Sequence, residues 1–132
     1  MRFAVLIFVI SCALYVSAQP KIKHRVGPAY PPLPWQANIQ GDVTVKVDID
    51  AGGNVISAVA SGGHPMLQRA AEQNVRLWTF SDVTPDEHTL TITYSYRILE
   101  PTKEKQWGTP LPVKFDVPNR VEISVYRVHL GY

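Results

Sequence analysis

Gly41-Asp42-Val43-Thr44-Val45-Lys46-Val47-Asp48-Ile49-Asp50 runs into Ala51-Gly52-Gly53-Asn54 and then into Val55-Ile56-Ser57-Ala58-Val59-Ala60. From Asp42 to Asp50 the chain alternates. Val43, Val45, Val47 and Ile49 take one side, and Thr44, Lys46 and Asp48 take the other. A period of two with polar residues opposite is the pattern of a strand with one buried face. Ala51 to Asn54 holds residues that tolerate positive φ and close tight turns. With the β-rich run from Val55 to Ala60, the stretch reads as a β-hairpin.

Beyond the hairpin, Ser61-Gly62-Gly63-His64-Pro65 redirects the chain, and Pro65 suits a first helical position. Leu67, Ala70, Ala71, Val75 and Trp78 then recur at helical spacing, with Gln68, Arg69, Glu72, Gln73 and Arg76 on the far side. This predicts an amphipathic helix of about four turns, its apolar stripe laid on the valine face of the hairpin. Ser81 to Glu87 reads as a polar loop. Thr89 to Ile98 is the cleanest strand: Leu90, Ile92, Tyr94, Tyr96 and Ile98 alternate with Thr89, Thr91, Thr93, Ser95 and Arg97. A right-handed crossover sets this third strand beside the first, antiparallel to it. The expected fold is α+β in two layers. A β-β-α-β unit forms an antiparallel sheet in the order second, first, third, with one helix on one face.

The tail adds to this unit. Glu100 to Pro112 reads as a linker with Pro101, Gly108, Pro110 and Pro112; Val113, Phe115 and Val117 then alternate, Pro118-Asn119 turns, and Val121, Ile123 and Val125 alternate again. That predicts a C-terminal hairpin extending or capping the sheet.

At the other end, Met1 to Gln19 has Arg2, an apolar run from Phe3 to Val16, and Val16-Ser17-Ala18. The run is shorter than a membrane-spanning helix requires, so export as a signal peptide cleaved after Ala18 is expected. Two other fates are a retained inner-membrane anchor and lipidation at Cys12, since Val9-Ile10-Ser11-Cys12 loosely resembles a lipobox. Residues 19–29, with Lys21, Lys23, His24 and Arg25, read as a mobile, basic lead-in arm. In Tyr30-Pro31-Pro32-Leu33-Pro34-Trp35 the prolines oppose a regular helix, although one short turn from Leu33 fits. The expected domain then covers residues 30–99, and residues 100–132 form the linker and hairpin.

Composition narrows the function. The 132 residues suffice for one domain, 45% are hydrophobic, and the net charge is only +2, which gives no case for nucleic acid. Cys12 is the sole cysteine, so a mature chain would hold together by packing without disulfides. His24, His64, His88 and His129 lack metal-ligand spacing. Asp48-Ile49-Asp50 opens like a calcium loop, but Gly52 and Val59 stand where ligands belong. Ser61-Gly62-Gly63 lacks the lysine of a phosphate loop, and no nucleophile elbow or acid pair stands out. The expectation is a protein without enzymatic activity, cofactor, metal or small-molecule substrate. An outer strand such as Thr89–Ile98 does offer unpaired backbone groups to an extended peptide, unless the C-terminal hairpin already covers it.

Tyr30-Pro31, Ile39-Gln40-Gly41, the alternating valines, the turn from Asp50 to Val55, Ser61-Gly62, Leu67, Ala71 and Trp78-Thr79-Phe80 resemble, in this order, the C-terminal domain of TonB family proteins. Pro34, Thr79 and the late Pro85 depart from the family pattern. The resemblance covers about residues 30 to 98. It implies a two-layer domain in the periplasm of a Gram-negative bacterium that grips an extended peptide of an outer-membrane receptor beside its last strand. That strand is Thr89, Leu90, Thr91, Ile92, Thr93, Tyr94, Ser95, Tyr96, Arg97 and Ile98, with Tyr30 and Pro31 near the peptide. The implied role is in energy-coupled transmembrane transport. The competing expectation is a structural or assembly component of the envelope that forms a homodimer through its sheet edge.

Overall fold

A computed structural model describes residues 20–102, 110–116 and 119–128. The expected signal segment with Cys12, and also Gly108, Val117, Pro118 and His129, lie outside the described residues.

The alternating stretch forms strand β2 (Gly41–Ile49), and Val55–Ser61 forms β3, antiparallel to it with Val45 opposite Ala60 and Val47 opposite Ala58. Between them the Asp50 carbonyl accepts from Gly53 N at 3.0 Å, while Asp50 Oδ1 accepts from Asn54 N at 2.9 Å. Gly53 sits at φ +86°, a left-handed conformation that costs glycine nothing.

Helix α2 (Pro65–Val75) begins with Pro65 at its first position and His64 as cap, whose Nδ1 accepts from Met66 N at 3.1 Å. It is three turns long rather than four. Trp78 lies just past its end, its N–H donating to the Val75 carbonyl. Leu67, Ala71 and Val75 are fully buried together with Val43, Val45 and Val47. Removing one Leu67-sized side chain from water contributes about 1.5–3 kcal/mol, so this seam supplies much of the cohesion between the layers. Glu72 Oε1 also accepts from Ala60 N at 2.8 Å, tying the helix to the outer side of β3.

The prolines at 31, 32 and 34 do not prevent a short helix. Helix α1 (Pro32–Gln36) places Pro32 in its first turn, where a missing N–H has no consequence. Residues 21–24, expected as mobile, form β1 (Lys21–His24), antiparallel to β4 (Thr79–Ser81) with Ile22 opposite Phe80. Two chain segments far apart in sequence meet there, so no local pattern marks the pairing.

β5 (Thr89–Leu99) pairs antiparallel with β2 from Asp48 opposite Thr89 to Gly41 opposite Tyr96. The tail supplies β6 (Lys114–Asp116) and β7 (Arg120–Tyr126), antiparallel to each other; β7 lies parallel to β5. Among the described residues the architecture is α+β: a five-stranded sheet in the order β3-β2-β5-β7-β6, the small β1-β4 sheet, and two helices. Among the described residues no helix is long and apolar enough to cross a membrane.

Candidate peptide-pairing edge

β5 sends its even-numbered side chains into the core: Leu90, Ile92, Tyr94, Tyr96 and Ile98 are all buried. Thr89 and Thr91 are exposed on the opposite face, whereas Ser95 on that face is fully buried. In an antiparallel pair the backbone groups of successive residues point alternately toward the partner and away from it. In β5 the odd-numbered residues point away from β2, as two bonds demonstrate. Thr93 N–H donates to the Asn119 carbonyl at 2.9 Å, and the Leu99 carbonyl accepts from Arg127 N at 2.9 Å.

The lane beside β5 is therefore divided. From Thr93 to Leu99 it holds β7, in register from Arg120 to Tyr126. Ahead of Thr93, among the described residues, no hydrogen bond reaches the outward backbone groups of Thr89 or Thr91. A notch of about 220 Å³ lies at that half, lined by Lys46, Thr89, Leu90, Thr91 and Asn119. Of the predicted strand, Thr89, Leu90 and Thr91 line this notch, and Ile92 lies between it and the stretch paired with β7. Thr93, Tyr94, Ser95, Tyr96, Arg97 and Ile98 stand beside β7.

Side chains hold β7 in place. Arg120 Nη2 donates to Ser95 Oγ at 2.8 Å, and Asp42 lies 3.7 Å from Arg120 and 3.5 Å from Arg97. These ion pairs are about half exposed and contribute little, on the order of 0–1 kcal/mol each. Apolar burial dominates, since Val121, Ile123, Val125 and Tyr126 are each at most 4% exposed.

Tyr30 and Pro31 do not join the open half. Tyr30 is buried with its ring edge-on to Tyr96, 5.4 Å between centroids, and its hydroxyl donates to the Ile39 carbonyl. Burial pushes that hydroxyl's pKa up to about 12. Tyr96 stands seven residues along β5 from Thr89, roughly 23 Å at strand rise. Pro31 instead lines a groove of about 210 Å³ with Leu33, Pro34, Met66 and Arg69.

Lys46 and Asn119 were not among the predicted site residues. Lys46 carries the signal of an outward strand position, but its place beside Thr91 follows only from the register of β2 on β5. His88 Nδ1 lies 2.6 Å from Asp48 Oδ1 at the outer end of the notch. Among the described residues no group of three His, Cys, Asp or Glu side chains could hold a metal ion.

Residues 26–99 match the family model described as Gram-negative bacterial TonB protein C-terminal. Two curated relatives, both called Protein TonB, come from Xanthomonas campestris pv. campestris strains B100 and ATCC 33913. Each is 42% identical over 64 residues, which is 47% of this chain and 29% of the relative. The chain thus matches less than a third of the length of either. The tail bearing β6 and β7 lies beyond the family match.

Proposed function

Because the chain belongs to the family of Gram-negative bacterial TonB protein C-terminal domains, we propose that it serves energy-coupled transport as a periplasmic module that receives an extended segment of an outer-membrane receptor along β5. The observation that supports this most is the divided lane: β5 pairs with a parallel strand from Thr93 onward, and among the described residues nothing pairs with the outward backbone groups of Thr89 and Thr91. A strand edge in this condition is suited to strand addition.

Magnitudes favour the open half as the place of entry. A segment filling the whole lane would have to expel β7 and re-expose its four buried side chains, a loss of about 6–12 kcal/mol. A segment at Thr89 and Thr91 forfeits none of that, and each backbone hydrogen bond gained there is worth roughly 1 kcal/mol net. Weak, exchangeable binding follows.

Titrating the protein with a synthetic peptide of a receptor's periplasmic segment tests the reading. Amide resonances from Thr89 to Ile92 should move, and Thr91→Pro, which deletes an outward donor, should abolish the effect. Shifts confined to other strands, or none at any peptide concentration, would overturn it. Self-association through the opposite edge is a second reading, favoured by Ile56 and Val59, which are 59% and 61% exposed on β3. Glu72 opposes it by occupying the Ala60 N–H that a second copy would need. Sedimentation equilibrium decides: a concentration-dependent dimer that Val59→Lys dissolves would favour self-association.

A further inference from the structure

β3 is an edge strand of the five-stranded sheet, at the end opposite the tail hairpin. Sheet edges are ordinarily blunted by charged residues, proline, bulges or a covering segment, because bare backbone groups invite a second strand. Val55–Ser61 contains no charged residue and no proline, and its Val59 is 61% exposed. The strand's own residues therefore give it little protection. Its first half is blunted by geometry. Asn54 bridges Thr79 of β4, and a bulge sets Ile56 between the residues that pair with Asp48 and Ile49.

The second half depends on α2. In an antiparallel ladder the N–H and C=O of one residue point to the same side, and successive residues alternate. The Ala60 N–H reaches Glu72 rather than β2, so Ala58 and Ala60 direct their backbone groups outward. Glu72 Oε1 accepts from Ala60 N at 2.8 Å, and Gln68 Nε2 donates to the Gly62 carbonyl at 2.9 Å. Gln68 and Glu72 stand four residues apart, so they share one side of the helix. The buried Leu67, Ala71 and Val75 fix that helix over the sheet. Two side chains of α2 thus seal backbone groups at the end of β3.

We infer that Gln68 and Glu72 act as an edge guard: they keep β3 from pairing with β3 of a second copy, and their removal releases an antiparallel dimer through that strand. A second copy is the fitting occupant because the segment is its own complement. About a dyad at Val59, Ala58 of each copy faces Ala60 of the other, with backbone groups aimed across. Val59 then meets its counterpart at a non-hydrogen-bonded position, where side chains come closest, and the paired strands bring no like charges together. A dyad at Ala58 instead sets Ala60 against the bulged Ile56, which disfavours that register. Pairing about Val59 needs the Ala60 N–H of both copies, the group that Glu72 holds. This role goes beyond the reading of β5 and is independent of it.

Sedimentation equilibrium of the full chain over a concentration series tests it, comparing wild type with Gln68→Ala combined with Glu72→Ala. Alanine favours helix at both positions. A backbone bond to a carboxylate is worth roughly tenfold or more in an equilibrium constant, and dimer formation breaks one in each copy. The double variant should therefore dimerise at concentrations roughly a hundredfold below those the wild-type chain needs. Adding Val59→Lys should restore the monomer. Glu72→Gln alone, which keeps an acceptor oxygen, should stay monomeric as wild type does. A double variant that remains monomeric with native amide dispersion overturns the inference, as does a dimer that Val59→Lys fails to dissolve. A wild-type chain already dimeric through Val59 overturns it too. Hydrogen exchange of the wild-type chain supplies a check that needs no variant: the Ala60 amide should exchange slowly, and exchange as fast as an open loop's removes the guard.

Discussion

Asn74 and Trp78 are joined across the end of α2: the Trp78 indole Nε1–H donates to Asn74 Oδ1 at 3.1 Å. The same Oδ1 accepts from the Tyr94 hydroxyl at 2.8 Å, and Asn74 Nδ2 donates to the Val26 carbonyl at 3.0 Å. One buried carboxamide thus links the lead-in segment, the helix, the turn that follows it and β5. Buried polar groups are costly when left unpaired, so the network holds these four pieces in a single arrangement.

Asn74→Leu should destabilise the protein by about 2–4 kcal/mol, because Tyr94 keeps a buried hydroxyl with no acceptor while Trp78 still has the Val26 carbonyl. Adding Tyr94→Phe should then recover part of the loss by removing the orphaned group. Chemical denaturation of the two single variants and the double variant checks this. Strictly additive losses would show that the hydroxyl depends on something other than Asn74.

The tail should behave as core. Deleting residues 101–132 removes the buried Val121, Ile123, Val125 and Tyr126 and uncovers the β5 edge that β7 pairs with. The lost burial, roughly 6–12 kcal/mol, rivals the whole stability of an ordinary domain. The truncated chain should therefore lose cooperative unfolding and dispersed amide resonances. Ile123→Ala, a milder probe, should cost about 2–5 kcal/mol. A truncated chain that still melts cooperatively would make the hairpin an appendage.

Two glycines near the first hairpin should respond very differently to the same change. A Cβ on Gly53 would lie 2.0 Å from the Phe80 carbonyl oxygen, which is backbone, whereas one on Gly62 would approach nothing closer than 3.7 Å. Both have positive φ. Gly62→Ala should cost only the left-handed strain, about 1–2 kcal/mol. Gly53→Ala should cost roughly 3 kcal/mol or more, since the turn and β4 must move apart. Thermal unfolding of the pair checks the ranking.

How legible these features were in the sequence depends on whether their cause is local. Val43 to Ile49 and Leu90 to Ile98 alternate because one side of each strand is buried, and that burial leaves a period any reader can find. The pairing of β1 with β4 leaves none: Lys21–His24 is mostly exposed and meets Phe80 from nearly sixty residues away. Asn74 falls on the apolar stripe of α2, between Ala71 and Trp78, where a polar residue looks like an interruption until Tyr94 and Val26 are seen around it. The candidate edge was half readable. Thr89–Ile98 is visible as a strand, and Val121, Ile123 and Val125 as another, but alternation carries neither neighbour nor direction. That β7 begins beside Thr93, and that no described residue pairs with Thr89 or Thr91, is a matter of tertiary register.

The buried phenols set an alkaline limit. Burial pushes Tyr30 up from its usual 10.0 to about 12, and raises Tyr94 and Tyr96 further, with the nearness of Tyr96 adding to the rise at Tyr94 and that of Tyr30 to the rise at Tyr96. Each hydroxyl keeps its proton in the folded chain at a pH where the unfolded chain has released it. The stability from keeping these groups neutral is thus whole below pH 10 and is lost as the pH rises through about 12. Phenolate absorbance and far-ultraviolet circular dichroism should change together in one transition within that window. A phenolate signal from these three that rises while the dichroism stays native would sink the idea. Tyr96 sharpens the test, because its buried hydroxyl has no hydrogen-bond partner among the described residues. Tyr96→Phe should leave stability at neutral pH unchanged or higher by up to about 1 kcal/mol, and should move the alkaline midpoint upward. Tyr94→Phe also removes an ionisable group, but it gives up the bond to Asn74, so it should lower stability at neutral pH even as its alkaline transition becomes less steep.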